Sequence, residues 1–251
     1  MEDSFLTQES VDGGKISIWK DVSHKTILAQ SRSNKASGIN LTQGNSSRQP
    51  IFAKHAFNDS IPSVKFSSIN PISGDFLYNG NFGINTNKIT FFLVTRRNAV
   101  GWEVRSLSGV RNGVAQDFSS ANSFWIYEPS NNGENIRSTL RGVGNLMPHP
   151  GNGTTYILSL VYDGSAIRTY INGALVVENS ASGSIIVDKM YIGKGSHCQS
   201  PTIYGGSGFA QCSYQGEISE MIFFDKNLKN DDRKSVEKYL GDKYAIKIAD
   251  D

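Results

Sequence analysis

The segment from Tyr156 to Val177 leaves this chain few choices of fold. Tyr156, Leu158, Leu160 and Tyr162 recur at every second position, the side-chain period of a strand with one face buried. Asp163-Gly164 follows, then Ile167, Thr169 and Ile171 in alternation, then Asn172-Gly173, then Leu175 and Val177. Asn-Gly and Asp-Gly supply the positive φ that two-residue hairpin turns need. Three strands joined by two tight turns make an antiparallel meander, because a parallel return needs a crossover of about a dozen residues or more.

Strand signals continue through the rest of the chain. Ile16 and Ile18 alternate with Lys15 and Ser17, Val64 and Phe66 flank Lys65, and Trp102 and Val104 alternate with Glu103 and Arg105. From Ile89 to Val94 both faces are apolar, which predicts a central strand covered on both sides. Trp19 and Trp102 are expected in the core. One helix is predicted near the end, where Val236, Tyr239, Leu240 and Tyr244 recur at helical spacing after Asn230-Asp231-Asp232. Asn230 or Asp231 is the expected cap, and Gly241 is expected to close or interrupt the helix. The stretches 34–49 and 131–153 are polar and glycine-rich and are read as loops or irregular edges. No linker or repeat stands out. The prediction is one all-β domain over 1–251, a two-sheet antiparallel jelly-roll sandwich with a short C-terminal helix.

Charge narrows the partners. The chain has 25 basic and 23 acidic residues, so no basic face is forced and nucleic acid is not an expected partner. Arg96-Arg97 and the C-terminal lysines are read as solvated surface charge. No apolar run is long enough to span a bilayer, so membrane insertion of this segment is not expected. The chain opens on Met1-Glu2-Asp3, which is no signal peptide. The expectation is a domain separated from its export or anchoring segment, a cytosolic protein being the alternative. Cys198 and Cys212 bracket a loop with Pro201 and Gly205-Gly206-Ser207-Gly208. A disulfide there would remove loop entropy worth roughly 3 kcal/mol and would mean an oxidising compartment. Two free thiols, or zinc held through His197, Cys198 and Cys212, are the alternatives.

The order of motifs resembles the bacterial laminin-G-like domains of the concanavalin A-like superfamily. Trp19-Lys20-Asp21-Val22-Ser23 resembles their W-x-D-x-S opening. Gln49-Pro50 followed by Pro62-Ser63-Val64-Lys65-Phe66 resembles the next stretch. Tyr170-Ile171-Asn172-Gly173 resembles their Y-x-N-G hairpin, and Gly216-Glu217-Ile218-Ser219-Glu220-Met221-Ile222 their G-x-I-x-E strand. Leu228 through Ile246 is similar to their closing helix, with Glu237, Tyr239-Leu240, Lys243 and Tyr244 in place. Two positions depart: Ser67-Ser68 stands where Asp-Gly is usual, and Lys229 where a small cap is usual. The resemblance implies an extracellular or surface protein that binds glycans or proteins, sometimes with calcium, and it implies no fixed catalytic set.

Catalytic chemistry finds little support in the residues. A glycosidase needs two carboxylates on one face, roughly 5–10 Å apart. Glu217 and Glu220 are the nearest pair, but Ser219 stands between them and a spacing of three puts them on opposite faces of a regular strand. No G-x-S-x-G occurs, and His24, His55, His149 and His197 are scattered without a motif and read as loop or surface residues. Calcium is the one cofactor left open, with Asp21, Asp75 and Asp225 as candidate ligands at strand ends; turn hydrogen bonding is the other reading of Asp21 and Asp225. The candidate sugar platform is Trp125 and Tyr127, outward if Phe124 and Ile126 face the core, with Asn131 and Asn132 beside them. The expected function is a surface-exposed or secreted, non-catalytic domain that binds carbohydrate or acts in adhesion. A structural or protein-interaction head on a pilus-like surface appendage is the alternative.

Overall fold

A computed structural model describes residues 11–20, 40–67, 74–98, 104–110, 124–128, 135–193 and 214–249. The strands are β1 (Ile18–Trp19), β2 (Leu41–Thr42), β3 (Ile51–Phe57), β4 (Ile61–Phe66), β5 (Leu77–Asn79), β6 (Ile84–Thr86), β7 (Ile89–Arg97), β8 (Val104–Val110) and β9 (Phe124–Glu128). They continue with β10 (Asn135–Leu140), β11 (Val143–Pro148), β12 (Thr155–Tyr162), β13 (Ala166–Ile171), β14 (Ala174–Ser180), β15 (Ile185–Val187), β16 (Lys189–Ile192) and β17 (Gly216–Phe224). The helix is α1 (Asn230–Tyr244).

Two large sheets face each other. One has eight strands in the order β1-β2-β5-β16-β8-β9-β10-β11, the other seven in the order β14-β13-β12-β7-β17-β4-β3, and β15 pairs with β6 in a small third sheet. Pairing among the described strands is antiparallel throughout. The main core lies between the large sheets and includes Trp19, Leu41, Phe66, Leu77, Phe91, Leu93, Phe124, Ile126, Leu158, Leu160, Ile192 and Ile218. Trp19 is therefore core, as expected; Trp102 lies outside the described residues. A second apolar cluster of Phe57, Phe92, Val94, Ile157, Leu240 and Tyr244 lies where α1 covers the far face of the seven-stranded sheet. That explains the unbroken apolar run of β7: it is central, and both faces are buried.

The meander forms as read. Asn172 (φ 49°) and Gly173 (φ 85°) are both left-handed, as a type I′ turn requires. The Asn172 side chain also accepts from the Ile157 amide at 2.8 Å. The first turn is shifted by one residue from the Asp-Gly reading. Asp163 N–H bonds to the Ala166 carbonyl, so Gly164-Ser165 is the central pair, and glycine (φ 97°) takes the first central position of a II′ turn. Asp163 Oδ1 instead accepts from Ser165 N–H, Ser165 Oγ–H and Ala166 N–H.

Five expectations are corrected. The segment 131–153 is not all loop: β10 and β11 form a hairpin whose turn, Arg141-Gly142, has positive φ at both residues. The alternation is masked because Ser138 and Asn145 hold inward positions, where both hydrogen-bond to Thr169 across the sandwich. The segment 34–49 likewise contributes β2. The cap of α1 is Lys229, with no side-chain cap bond, while Asn230 Oδ1 accepts from Arg233. Gly241 does not end the helix, which runs to Tyr244 and terminates at Ala245 in the left-handed region. A Cβ on Gly241 would stand 2.5 Å from Ile248 Cγ1, so glycine here serves close packing of the returning tail. Finally, Arg96 and Arg97 are not loose surface charges. Arg97 is buried and donates to Asn152. Arg96 donates to Glu217 and to the Ala56 carbonyl and lies over the Phe57 ring.

Candidate functional site

The two carboxylates singled out by spacing come together, contrary to the strand-period argument. Glu217 pairs with Arg96 and Glu220 with Val94, two residues apart on β7, because the register shifts between Ile218 and Glu220. The bulge at Ser219 puts both on the face covered by α1. Pro62 explains the location. It has no N–H to continue the β4–β17 ladder, which ends at Val64–Ile218. Ser219 Oγ–H bonds to the Pro62 carbonyl at 2.6 Å instead. Both carboxylates are buried and committed to partners: Glu217 to Arg96 at 2.6 Å, and Glu220 to Lys243 at 3.0 Å and Tyr244 Oη–H at 2.9 Å. Burial, and then the Glu220 charge, push the Tyr244 phenol far above its ordinary pKa. Glu220 thereby ties the helix to the sheet, while the Glu217–Arg96 pair joins β17 to β7 within it.

The candidate calcium ligands are not gathered into one place. Asp75 is buried and accepts from Ser67 N–H and Ser67 Oγ–H, both at 2.9 Å. Burial raises its pKa, against the lowering effect of those bonds. Ser67 follows Phe66, which pairs with Gly216 at the start of β17. Asp225 is exposed just past the other end of that strand. Asp75 and Asp225 thus lie roughly 25–30 Å apart and share no site. Asp21 lies outside the described residues, as do His24, His197, Cys198, Cys212, Asn131 and Asn132. His55 is exposed on β3 and half-buried His149 follows β11.

The outer face of the eight-stranded sheet assembles a different set. Phe124 and Ile126 are buried in the main core, which is the condition set for the Trp125 and Tyr127 platform. Trp125 and Tyr127 occupy the alternate register positions of β9. One register row crosses the sheet on that alternate set: Ile18, Thr42, Tyr78, Tyr191, Ser108, Trp125, Thr139 and Gly144. A neighbouring row carries Arg105, Tyr127, Arg137 and Leu146. Tyr78 and Tyr191 stack with ring centroids 5.8 Å apart and planes within 17°. Tyr78 is 39% exposed and Tyr191 4%, so Tyr78 is the accessible ring and buried Tyr191 backs it. Leu146 is 48% exposed on the same side.

Tyr78 and Tyr191 were missed in the sequence because β5 and β16 are only three and four residues long. The available signal was local: Tyr191 sits between inward Met190 and Ile192, and Tyr78 follows inward Leu77.

No protein-family model matches the chain, and no curated protein matches it. Solved structures do. Domain 4 of AbnA, an extracellular arabinanase from Geobacillus stearothermophilus seen with arabinotriose, aligns with a TM-score of 0.52 at 12% identity, over 77% of this chain and 84% of that one. The botulinum neurotoxin serotype D binding domain aligns with a TM-score of 0.53 at 11% identity, over 90% of this chain and 51% of that one. The serotype G binding domain gives 0.53 at 11% identity, over 82% and 48%. The chain therefore spans about half of each toxin domain. Together with the sheet order, these likenesses establish a jelly-roll β-sandwich of the concanavalin A-like kind.

Proposed function

We propose that this chain is a non-catalytic glycan-binding domain of a surface-exposed or secreted protein, and that it holds sugar on the outer face of the eight-stranded sheet. The observation that carries this reading is the register row with the stacked Tyr78–Tyr191 pair and Trp125 on one face. Aromatic faces pack against the C–H patches of sugar rings, and neighbouring polar groups read the hydroxyls. Ser108 and Thr139 hold positions in the same row, and Asn131 and Asn132 follow β9 in the chain. The arabinanase domain seen with arabinotriose is a precedent for sugar binding on this fold. The motif order favours the laminin-G-like branch of that fold. Glu217 and Glu220, the pair a glycosidase would need, are engaged by Arg96, Lys243 and Tyr244.

The test is a panel of neutral and charged glycans against the purified protein, with calcium and with chelator, repeated on Tyr78→Ala and Trp125→Ala. Selective binding that both substitutions abolish is expected, with thermal unfolding close to that of the parent. Selective binding untouched by both would move the site elsewhere on the sandwich. No glycan bound in either condition would favour the protein-interaction head instead.

A further inference from the structure

Strand β17 stands between β7 and β4 in the seven-stranded sheet, yet β4 accompanies it for only part of its length. The β17–β7 ladder runs from Gly216 to Phe224, whereas the β17–β4 ladder ends at Ile218–Val64. Beyond that point β4 holds only Ser63, Pro62 and Ile61, and the chain turns back through Asn58 and Asp59, both at positive φ. The second half of β17 is therefore an edge set inside the sheet order.

The direction of its backbone groups follows from β7. Asn98 N–H bonds to the Gln215 carbonyl, on the β17 side, and the Arg97 carbonyl accepts from Gly153, on the β12 side. Bonding direction alternates along an antiparallel strand, so Val94, Phe92 and Thr90 bond to their partners Glu220, Ile222 and Phe224. Met221 and Phe223 then direct their N–H and C=O groups away from β7. Among the described residues, neither makes a hydrogen bond outside the strand ladders. Met221, Ile222, Phe223 and Phe224 are all half-buried, while their partners on β7 are buried. Met221 and Phe223 pack on the main core beside Phe82, and Ile222 and Phe224 on the cluster under α1, to which Ile61, Val236 and Tyr239 also belong. Proteins guard open edges with charge or proline, and these four residues carry neither.

We infer that this edge binds an extended peptide segment of a partner protein, which adds to β17 as a further strand. Met221 and Phe223 lie two residues apart, about 7 Å along the strand, the interval at which an extended peptide repeats its own N–H and C=O groups. The side chains of such a strand alternate between the Met221–Phe223 side and the Ile222–Phe224 side. Both sides are apolar, so the central residues of the segment are uncharged and apolar. A second copy of the chain fits less well. Four residues give an edge roughly 14 Å long and, with side chains on both faces, about 20 Å deep. Two copies paired there would bury about 600 Å², below the roughly 1,000 Å² of a stable interface. A short strand needs only the edge itself. The site lies on the seven-stranded sheet, away from the aromatic row proposed for sugar.

Amide exchange on the intact chain, joined to selection from a displayed library of short random peptides, tests this. In the free chain the Phe223 amide is expected to exchange about a hundredfold faster than those of Ile222 and Phe224, or more. Equal protection at all three would mean that the edge is already filled, and would overturn the inference. Selected peptides are expected to be apolar and free of proline at their centre and, made synthetically, to slow exchange at Phe223. N-methylation of one alternate set of their amides should weaken binding about tenfold or more, and of the other set should not. Met221→Lys should weaken binding as much with cooperative unfolding retained, and Tyr78→Ala should change nothing. Should Met221→Lys fail to fold, the N-methylated peptides carry the same test on the parent chain. No peptide enriched, or bound peptides that leave Phe223 exchanging freely, would overturn the inference.

Discussion

Replacing Glu237 by Gln should destabilise the fold by about 3 kcal/mol, although Glu237 lies far from the proposed binding face. Arg233 and Glu237 sit one turn apart on α1, with side chains 3% and 0% exposed, and form an ion pair. The Arg233 guanidinium lies 3.8 Å from the centre of the Tyr170 ring and donates to Asn230. Removing one partner of a buried pair costs about 3–5 kcal/mol, because the other charge stays buried without compensation. The amide oxygen of Gln can still accept a bond and the Tyr170 face remains, which places the cost at the lower end. Helix propensity contributes little, since Glu and Gln are nearly equivalent. In urea unfolding the midpoint should fall with the slope unchanged. A loss of about 3 kcal/mol corresponds to a Tm roughly 6–12 °C lower for a domain of this size. The double replacement Arg233→Met with Glu237→Leu removes both charges. It should recover about 1–2 kcal/mol of that loss, the rest being lost cation–π attraction of about 1–2 kcal/mol. A single variant within about 0.5 kcal/mol of the parent, or a double variant as weak as the single, would refute uncompensated charge as the cause.

Two further outcomes are expected. Gly241→Ala should lower stability by about 1–3 kcal/mol in chemical unfolding, despite alanine's better helix propensity, because the new Cβ meets Ile248 and the Ile246 carbonyl; an unchanged or raised midpoint would refute the packing argument. Asp163 is partly desolvated, which raises its pKa, but bonds from Arg168, Ser165 and Ala166 outweigh that and hold it well below the usual carboxylate range. Its folded pKa is depressed, so its contribution to stability is present above the unfolded value of 3.8 and is lost as pH falls below it. Asp163→Asn should therefore flatten the acid limb of stability against pH, and an unaltered limb would count against the assignment.

The sheets were legible where one physical rule acted alone. Alternation in Tyr156–Tyr162 marked a strand but understated its burial, since Ile157, Ser159 and Val161 on its other face are buried as well, whereas the unbroken run Ile89–Val94 marked a strand covered on both faces. The hairpin β10–β11 was not legible, because Ser138 and Asn145 meet Thr169 across the core and a polar inward residue looks like a loop. The proposed face was half legible. Trp125 and Tyr127 stood out as a dense aromatic run, whereas Tyr78 and Tyr191 lie more than a hundred residues apart and become neighbours only through the β5–β16 pairing.

What the sequence by itself determined was the list of local conformations: positive φ at Asn172-Gly173, a period of two in the meander, and one amphipathic helix. These are set by backbone sterics and by the burial of alternate side chains, which act over a few residues. Tertiary structure alone decided which faces those side chains share. The bulge at Ser219 reverses the parity of β17, so that Glu217 and Glu220 lie side by side under α1. Gly241, a helix stop by local propensity, lies inside α1 because the tail at Ile246–Ile248 packs where its Cβ would be. Such outcomes depend on register and packing between distant segments, whose partners local spacing does not identify.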